Sequence, residues 1–202
     1  MGRHQLYTSD QILDAAMDAV AIHGRAATLA QVCAQIGAPS GSIYHRFGSR
    51  DEVMMRLWMR SIHRFHGRLF EVGSGQADAG DVLVTMAVAT AQYCRHLPRE
   101  ALSMTLFSHE RLMASVPDHL RDEAGGINDE FFALLLRLAT ERFPHLKDDE
   151  RLLPFVFTAV VGLCYGLVRP YIIDQIPVPE WLDSVIHDSC RAALAVGDTW
   201  QG

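Results

Sequence analysis

Three times within the first fifty-two residues a hydroxyl side chain is followed, three positions on, by Gln or Glu: Thr8-x-x-Gln11, Thr28-x-x-Gln31 and Ser49-x-x-Glu52. Each is a capping box, in which the hydroxyl accepts a backbone N–H of the first helical turn and the fourth side chain returns to the cap's own N–H. Gly24, Gly37 and Gly48 stand where a left-handed residue would close the helices that these boxes open. Between starts and stops, apolar residues recur at helical spacing. Ile12, Ala16, Ala19 and Val20 form one stripe, Leu29, Val32, Cys33 and Ile36 a second, and Met54, Leu57, Trp58, Ile62, Phe65 and Leu69 a third. The punctuation predicts helices over 9–23, 28–36, 39–47 and from about Arg50 to about Phe70.

The same periodicity continues to the C-terminus, with no sustained period-two alternation, so the expected class is all-α with about nine helices in total. Later helices are expected near 81–97, 99–114, 118–142 (interrupted at Gly125-Gly126), 148–169 and 179–196, with prolines at the joints. Gly73 to Gly80 reads as the best linker. The division of the chain is placed after residue 50, giving segments 1–50 and 51–202.

With 202 residues, 49% of them hydrophobic, the chain can bury a substantial core. Cys33, Cys94, Cys164 and Cys190 are widely separated in apolar stretches, which points to buried free thiols and a reducing, cytoplasmic setting. Met1 to Asp10 lacks the apolar core of a signal peptide. The longest charge-free run, Leu152 to Val168, is shorter than a membrane span of roughly 20 residues and reads as a helix buried in protein, closed by Arg169-Pro170. No membrane partner is expected.

The net charge of −6 is unevenly spread. Residues 1–68 hold eight arginines against five acids, a balance of +3; residues 69–202 hold nine arginines and Lys147 against nineteen acids, a balance of −9. A basic first segment on an acidic remainder suits one face that meets phosphates.

Two short helices joined by a glycine turn, Thr28–Ile36 and Pro39–Phe47, have the dimensions of a helix-turn-helix. Ala30 is expected to face the partner helix, and Ile43 and Phe47 to anchor the second helix. That leaves Ser40, Gly41, Ser42, Tyr44, His45 and Arg46 outward. Small hydroxyls permit close approach to a duplex, a tyrosine hydroxyl donates to phosphate, and His45 and Arg46 reach base edges or backbone.

The run Ile12-Leu13-x-Ala15-Ala16, then Gly24, Thr28, Gly37, Gly41, Ser42-Ile43-Tyr44, Phe47 and Ser49-Arg50-Asp51-Glu52-Val53 resembles the TetR family of repressors over about residues 8–60. The resemblance implies a homodimer that grips double-stranded palindromic operator DNA and lets go when a small-molecule effector binds the C-terminal body. It also implies operator contacts at Thr28, Ser40, Ser42, Tyr44, His45 and Arg50, to which side-chain chemistry adds Arg46. Pro39 stands where the family often has serine, and Arg50 where it often has lysine.

In the body, the effector neighbourhood is expected among Phe65, Tyr93, Met104, Phe107, His109, Phe131 and Tyr165, because aromatic and methionine side chains line adaptable apolar pockets. A dimer seam is expected from Phe157, Val161, Gly162 and Tyr165 on one helix and Trp181, Val185 and Ser189 on the last. No cofactor, metal site or enzymatic activity is expected, since nucleophile-elbow, zinc-protease, phosphate-loop and dinucleotide motifs are missing from the sequence. His63 and His66, three apart, read as a solvated pair beside Arg60, Arg64 and Arg68 rather than metal ligands. The alternatives are a helical ligand-binding protein without DNA activity, or a small helical enzyme.

Overall fold

The computed structural model describes residues 7–75 and 77–201, which form helices and connections without a strand among them. In chain order the α-helices are α1 (Ser9–His23), α2 (Leu29–Ile36), α3 (Ser40–Phe47), α4 (Arg50–Gly73), α5 (Ala79–His96), α6 (Pro98–Met104), α7 (His109–Ser115), α8 (Arg121–Gly125), α9 (Asp129–Arg142), α10 (Leu152–Phe157), α11 (Leu163–Ile173) and α12 (Leu182–Gly197). A π-helical turn, Thr158–Gly162, joins α10 to α11 without a break.

The caps account for the starts. Thr8 and Thr28 complete reciprocal boxes: Gln11 N–H donates to Thr8 Oγ1 at 3.1 Å, and Thr28 N–H donates to Gln31 Oε1 at 2.7 Å. At Ser49 the hydroxyl accepts from Glu52 N–H at 3.1 Å. The Glu52 carboxylate turns instead to Arg56 Nε at 3.0 Å. Gly24, Gly37 and Gly48 all have positive φ, and Gly37 at φ 68, ψ 23 closes α2 in the left-handed conformation that a helix-turn-helix corner requires.

The chain divides into two compact units, one running through Ile62 together with Arg99–Gly126, the other comprising His63–Pro98 and Ile127–Gly202. In the first, α1 packs on α2 and α2 on α3 around Ile12, Ala16, Val20, Val32, Ile43 and Phe47, all nearly inaccessible. Ala30, expected against the partner helix, is exposed instead; Ala27 and Ala38, just outside the two ends of α2, are the small buried residues. In the second unit α5 lies against α9, α11 and α12, and α9 against α10. Arg95 near the end of α5 clamps the start of α12, donating to the carbonyls of Val178 at 2.8 Å and Pro179 at 2.9 Å and pairing with Asp183 at 2.5 Å.

Two expected boundaries move and one holds. The helix expected over 99–114 is two: α6 ends at Met104, and α7 begins afresh behind Ser108, whose hydroxyl accepts from Arg111 N–H at 3.4 Å. The interruption at Gly125-Gly126 is real and separates α8 from α9. Arg169-Pro170 does not close its helix, which continues to Ile173 with Pro170 inside, and the turn away is made by Gln175 at φ 51.

All four thiols are buried and free, and burial pushes Cys94 and Cys164 up to about 12 and Cys190 up to about 11, far from the thiolate form. Leu152–Ile173 is the one helical stretch among the described residues long and apolar enough to cross a membrane, and only 33% of its most apolar window is buried within this chain.

Gly197, at the end of α12, lies under two rings: a Cβ there would meet Phe155 Cε1 at 2.8 Å and Phe143 Cε1 at 2.9 Å. Gly197→Ala is therefore expected to destabilise the protein by about 1–3 kcal/mol. Gly67, exposed in the middle of α4 with open space around it, should do the opposite, Gly67→Ala adding about 0.5–1 kcal/mol. Chemical denaturation of the two variants checks both signs.

Candidate functional site

An eight-residue helix does not hold its shape alone in water. α3 is fixed to its unit by two side chains, Ile43 at 0% and Phe47 at 3% exposure, one turn apart. Ser40, Gly41, Ser42, Tyr44 and His45 are exposed, Tyr44 by 53%, and Arg46 is half-buried. Pro39 sits at the cap position of α3 rather than inside it and supplies no side-chain cap, so the first turn of α3 meets solvent with backbone N–H groups that the boxes of α1 and α2 would have occupied. The corner between α2 and α3 is pinned by Tyr7, whose hydroxyl donates to the Gly37 carbonyl at 3.3 Å.

The other residues assigned to DNA contact have visible structural duties. Thr28 is exposed, but its hydroxyl serves the α2 cap. The Arg50 fork is spent on the α1–α2 connection: Nε donates to the Ala27 carbonyl at 2.8 Å, Nη2 to the Arg25 carbonyl, and Nη1 meets Asp51 at 2.8 Å.

The basic surplus of residues 1–68 is similarly used at home. Arg56 pairs with Glu52 at 3.0 Å, Arg60 with Asp14 at 2.9 Å and Arg68 with Glu71 at 2.9 Å.

The expected effector residues fall into separate places. Within the second unit Phe65 and Tyr93 meet edge to face at 5.3 Å, and Phe131 lies flat on His66 at 4.9 Å with only 11° between planes. His66, which sequence reasoning put in a solvated pair, is 6% exposed; the error came from weighing its arginine neighbours above its place on the apolar stripe of α4, one residue after Phe65. Burial, then the charge of His63, pushes its imidazole down to about 4. Tyr165 stands apart from this cluster, 41% exposed on α11. Met104, Phe107 and His109 belong to the first unit, where Met104 and Phe107 are half-buried and His109 reaches the Ala124 carbonyl at 3.2 Å. A polar cleft of about 310 Å³, edged by Asp78, Asp81, Glu141, Arg142 and Arg191, opens elsewhere in the second unit, but Arg191 is already paired with Asp81 at 2.7 Å.

Of the expected seam residues, Phe157, Val161 and Ser189 are half-buried, Gly162 is exposed, and Tyr165, Trp181 and Val185 are prominent. Leu163, Ile173, Ile176 and Val196 add to this apolar exposure. On α12 the two faces separate: Leu182, Ile186, Cys190 and Leu194 go into the core of their own chain. No group of three or more metal-ligating side chains occurs among the described residues.

A short helix held by two apolar anchors, behind a glycine corner and with its polar face bare, defines a helix-turn-helix DNA-binding protein. Residues 12–57 match the family model of bacterial regulatory proteins, tetR family. Over those residues the chain is similar to the DNA-binding segment of TetR-family transcriptional regulators.

Solved structures share the fold along nearly the whole chain. The regulator FadR from Bacillus subtilis, in complex with stearoyl-CoA, superposes with TM-score 0.69 at 18% identity over 94% of this chain and 99% of its own. The ketosteroid regulator KstR2 of Mycobacterium tuberculosis superposes with TM-score 0.65 at 15% identity over 95% of each chain. A transcriptional regulator from Rhodococcus sp. Rha1 superposes with TM-score 0.70 at 16% identity over 94% of this chain and 95% of its own. No curated protein matches the chain.

Two outcomes follow. Tyr44→Phe, which removes one exposed hydroxyl from α3, should weaken binding to all duplexes by the same factor of about 3–10, read by fluorescence anisotropy on matched and scrambled DNA at fixed salt. For His66, the folded state resists a proton that the unfolded chain takes up near pH 6.5, so the unfolded state holds more protons between about pH 6.5 and 4 and stability falls as pH drops through that window. The loss should approach about 3 kcal/mol at the acid end, and His66→Phe should flatten the profile of denaturation midpoint against pH.

Proposed function

We propose that this regulator is a homodimeric repressor which holds a palindromic operator through paired α3 helices and releases it when a small, largely apolar molecule binds the body. The observation that carries the DNA half is the bare polar face of α3, Ser40, Ser42, Tyr44 and His45, on its two buried anchors. One such helix reads too few base pairs to bind tightly; two, set roughly 34–36 Å apart by a twofold axis, read successive major grooves.

Support for the dimer comes from the apolar strip of α11 and α12. Exposed Tyr165, Trp181 and Val185, with half-buried Phe157 and Val161, exceed what a solvated helix pair carries, and Gly162 allows close approach. A second copy offers the same strip in return, and its cover would account for the low burial of Leu152–Ile173 within one chain.

Support for an apolar effector comes from the company the fold keeps: one similar protein was solved with stearoyl-CoA, and another is a ketosteroid regulator. Within this chain the Phe65, Tyr93, His66 and Phe131 rings form a buried aromatic group in the second unit that would supply a wall of the ligand site. Release of DNA by such a ligand requires only that it favour a body arrangement in which the two α3 helices lose their spacing. Residues 1–50 would supply the DNA contacts and residues 51–202 the ligand site and seam. The four protonated thiols suit work in the cytoplasm.

Wild-type protein is expected to select a palindrome from a random duplex pool, to run at twice the chain mass in sedimentation, and to lose that duplex on addition of stearoyl-CoA. Trp181→Asp should give monomers that no longer retain the palindrome. A protein that ignores every duplex at low salt would instead be a helical ligand-binding protein, and monomeric wild type would remove the paired-helix reading.

A further inference from the structure

An α-helix leaves its last carbonyls without partners inside the helix. At the end of α6 these groups are taken by the DNA-binding unit to which α6 itself belongs: the Met104 carbonyl accepts the Trp58 indole N–H at 2.9 Å, and the Thr105 carbonyl accepts the Arg25 guanidinium. The start of α6 is tied to the same unit. Arg99 pairs with Asp18 of α1 at 2.5 Å, and the buried Glu100 accepts the Ser61 hydroxyl of α4 at 2.6 Å.

Arg25 lies in the single 3₁₀ turn, Gly24–Ala26, that connects α1 to α2. That turn is gripped a second time from the start of α4, where Arg50 donates to the carbonyls of Arg25 and Ala27. The turn before the cap of α2 is therefore located by two arginines, Arg50 reaching in from α4 and its own Arg25 reaching out to the end of α6. Three guanidinium bonds meet at this turn, and each such bond outweighs a neutral one.

We infer that Arg25 is a positioning residue for operator binding: anchored on the Thr105 carbonyl beside the Trp58–Met104 bond, it fixes the α1–α2 turn and so the seat of α2 and α3, without itself touching DNA. The end of α6 then sets how firmly the recognition helix is presented. This rests on the operator reading given above, but not on the identity of any effector.

Arg25→Gln and Trp58→Phe separate the possibilities, each read two ways: affinity for the duplex selected by the wild type at several salt concentrations, and amide hydrogen exchange of residues 27–36 in the free protein. Arg25→Gln is expected to weaken binding about tenfold, with the slope of log affinity against log salt unchanged, and to speed exchange in 27–36. Trp58→Phe, altering a buried side chain that is not on α3, should move both readouts in the same direction. A salt slope reduced by about one with exchange unaltered would show Arg25 to be a phosphate contact and overturn the inference. Unchanged affinity and unchanged exchange would overturn it as well. If Trp58→Phe does not fold, the two readouts on Arg25→Gln decide alone. A wild type that selects no duplex would sink the operator reading, and exchange in 27–36 would still uphold or overturn the brace.

Discussion

Everything that makes this chain a DNA reader depends on the burial of two side chains, Ile43 and Phe47, on a helix otherwise made of polar and small residues. Eight residues cannot propagate a helix against the cost of starting one. The hydrophobic contact of two anchors one turn apart replaces that missing intrinsic stability, and because it uses only one edge of the cylinder it leaves the opposite side for a ligand. Gly37 in the left-handed conformation and the Tyr7 bond to its carbonyl set the direction from which the anchored edge approaches the core. Mean burial would be a poor guide to this helix; what matters is which two positions are buried.

Local signals in the sequence were strong where one residue fixes one bond. The hydroxyl-x-x-Gln pairs at Thr8 and Thr28, and the three glycine stops, are visible in a linear sequence because cap and turn chemistry is a matter of spacing alone. The anchoring pair on α3 was legible for the same reason. Where two partners compete for one group, spacing could not choose. Glu52 has the right place for a third box, yet its carboxylate goes to Arg56, and Thr28 and Arg50 carry out structural tasks that their place in the DNA-binding motif conceals.

Tertiary neighbours decided the remaining cases. Ala30 and Ala27 are the same residue three apart, and only the crossing of α1 over α2 selects which is covered. His66 stands among Arg60, Arg64 and Arg68 in the sequence, but Phe131, some sixty-five positions later, supplies the flat surface that takes it out of water. The break between α6 and α7 carries no sequence mark, because Ser108 sits in a stretch with no glycine or proline, and a hydroxyl cap in mid-pattern looks like an ordinary helical surface residue. Charge was misleading in a different way: the excess of arginine through residue 68 is real, yet Arg25, Arg50, Arg56 and Arg60 are engaged in bonds within the first unit.

The π-helical turn at Thr158–Gly162 has a geometric consequence of its own. A wider turn accommodates one residue more than an α-helix would place over the same rise, so everything after it is rotated about the axis by roughly 100° relative to an uninterrupted α-helix. That offset lets Val156 before the turn, Ala159 within it and Cys164, Val168 and Ile172 after it all be buried, while Leu163 and Tyr165 are exposed. Forcing the same residues into regular α-helical geometry would swing the thiol and the two aliphatic side chains outward and carry the tyrosine toward the core, whereas excising one residue would regularise the hydrogen bonding and leave those faces where they are. The irregularity is thus the gear that aligns the two halves of the longest apolar rod in the protein.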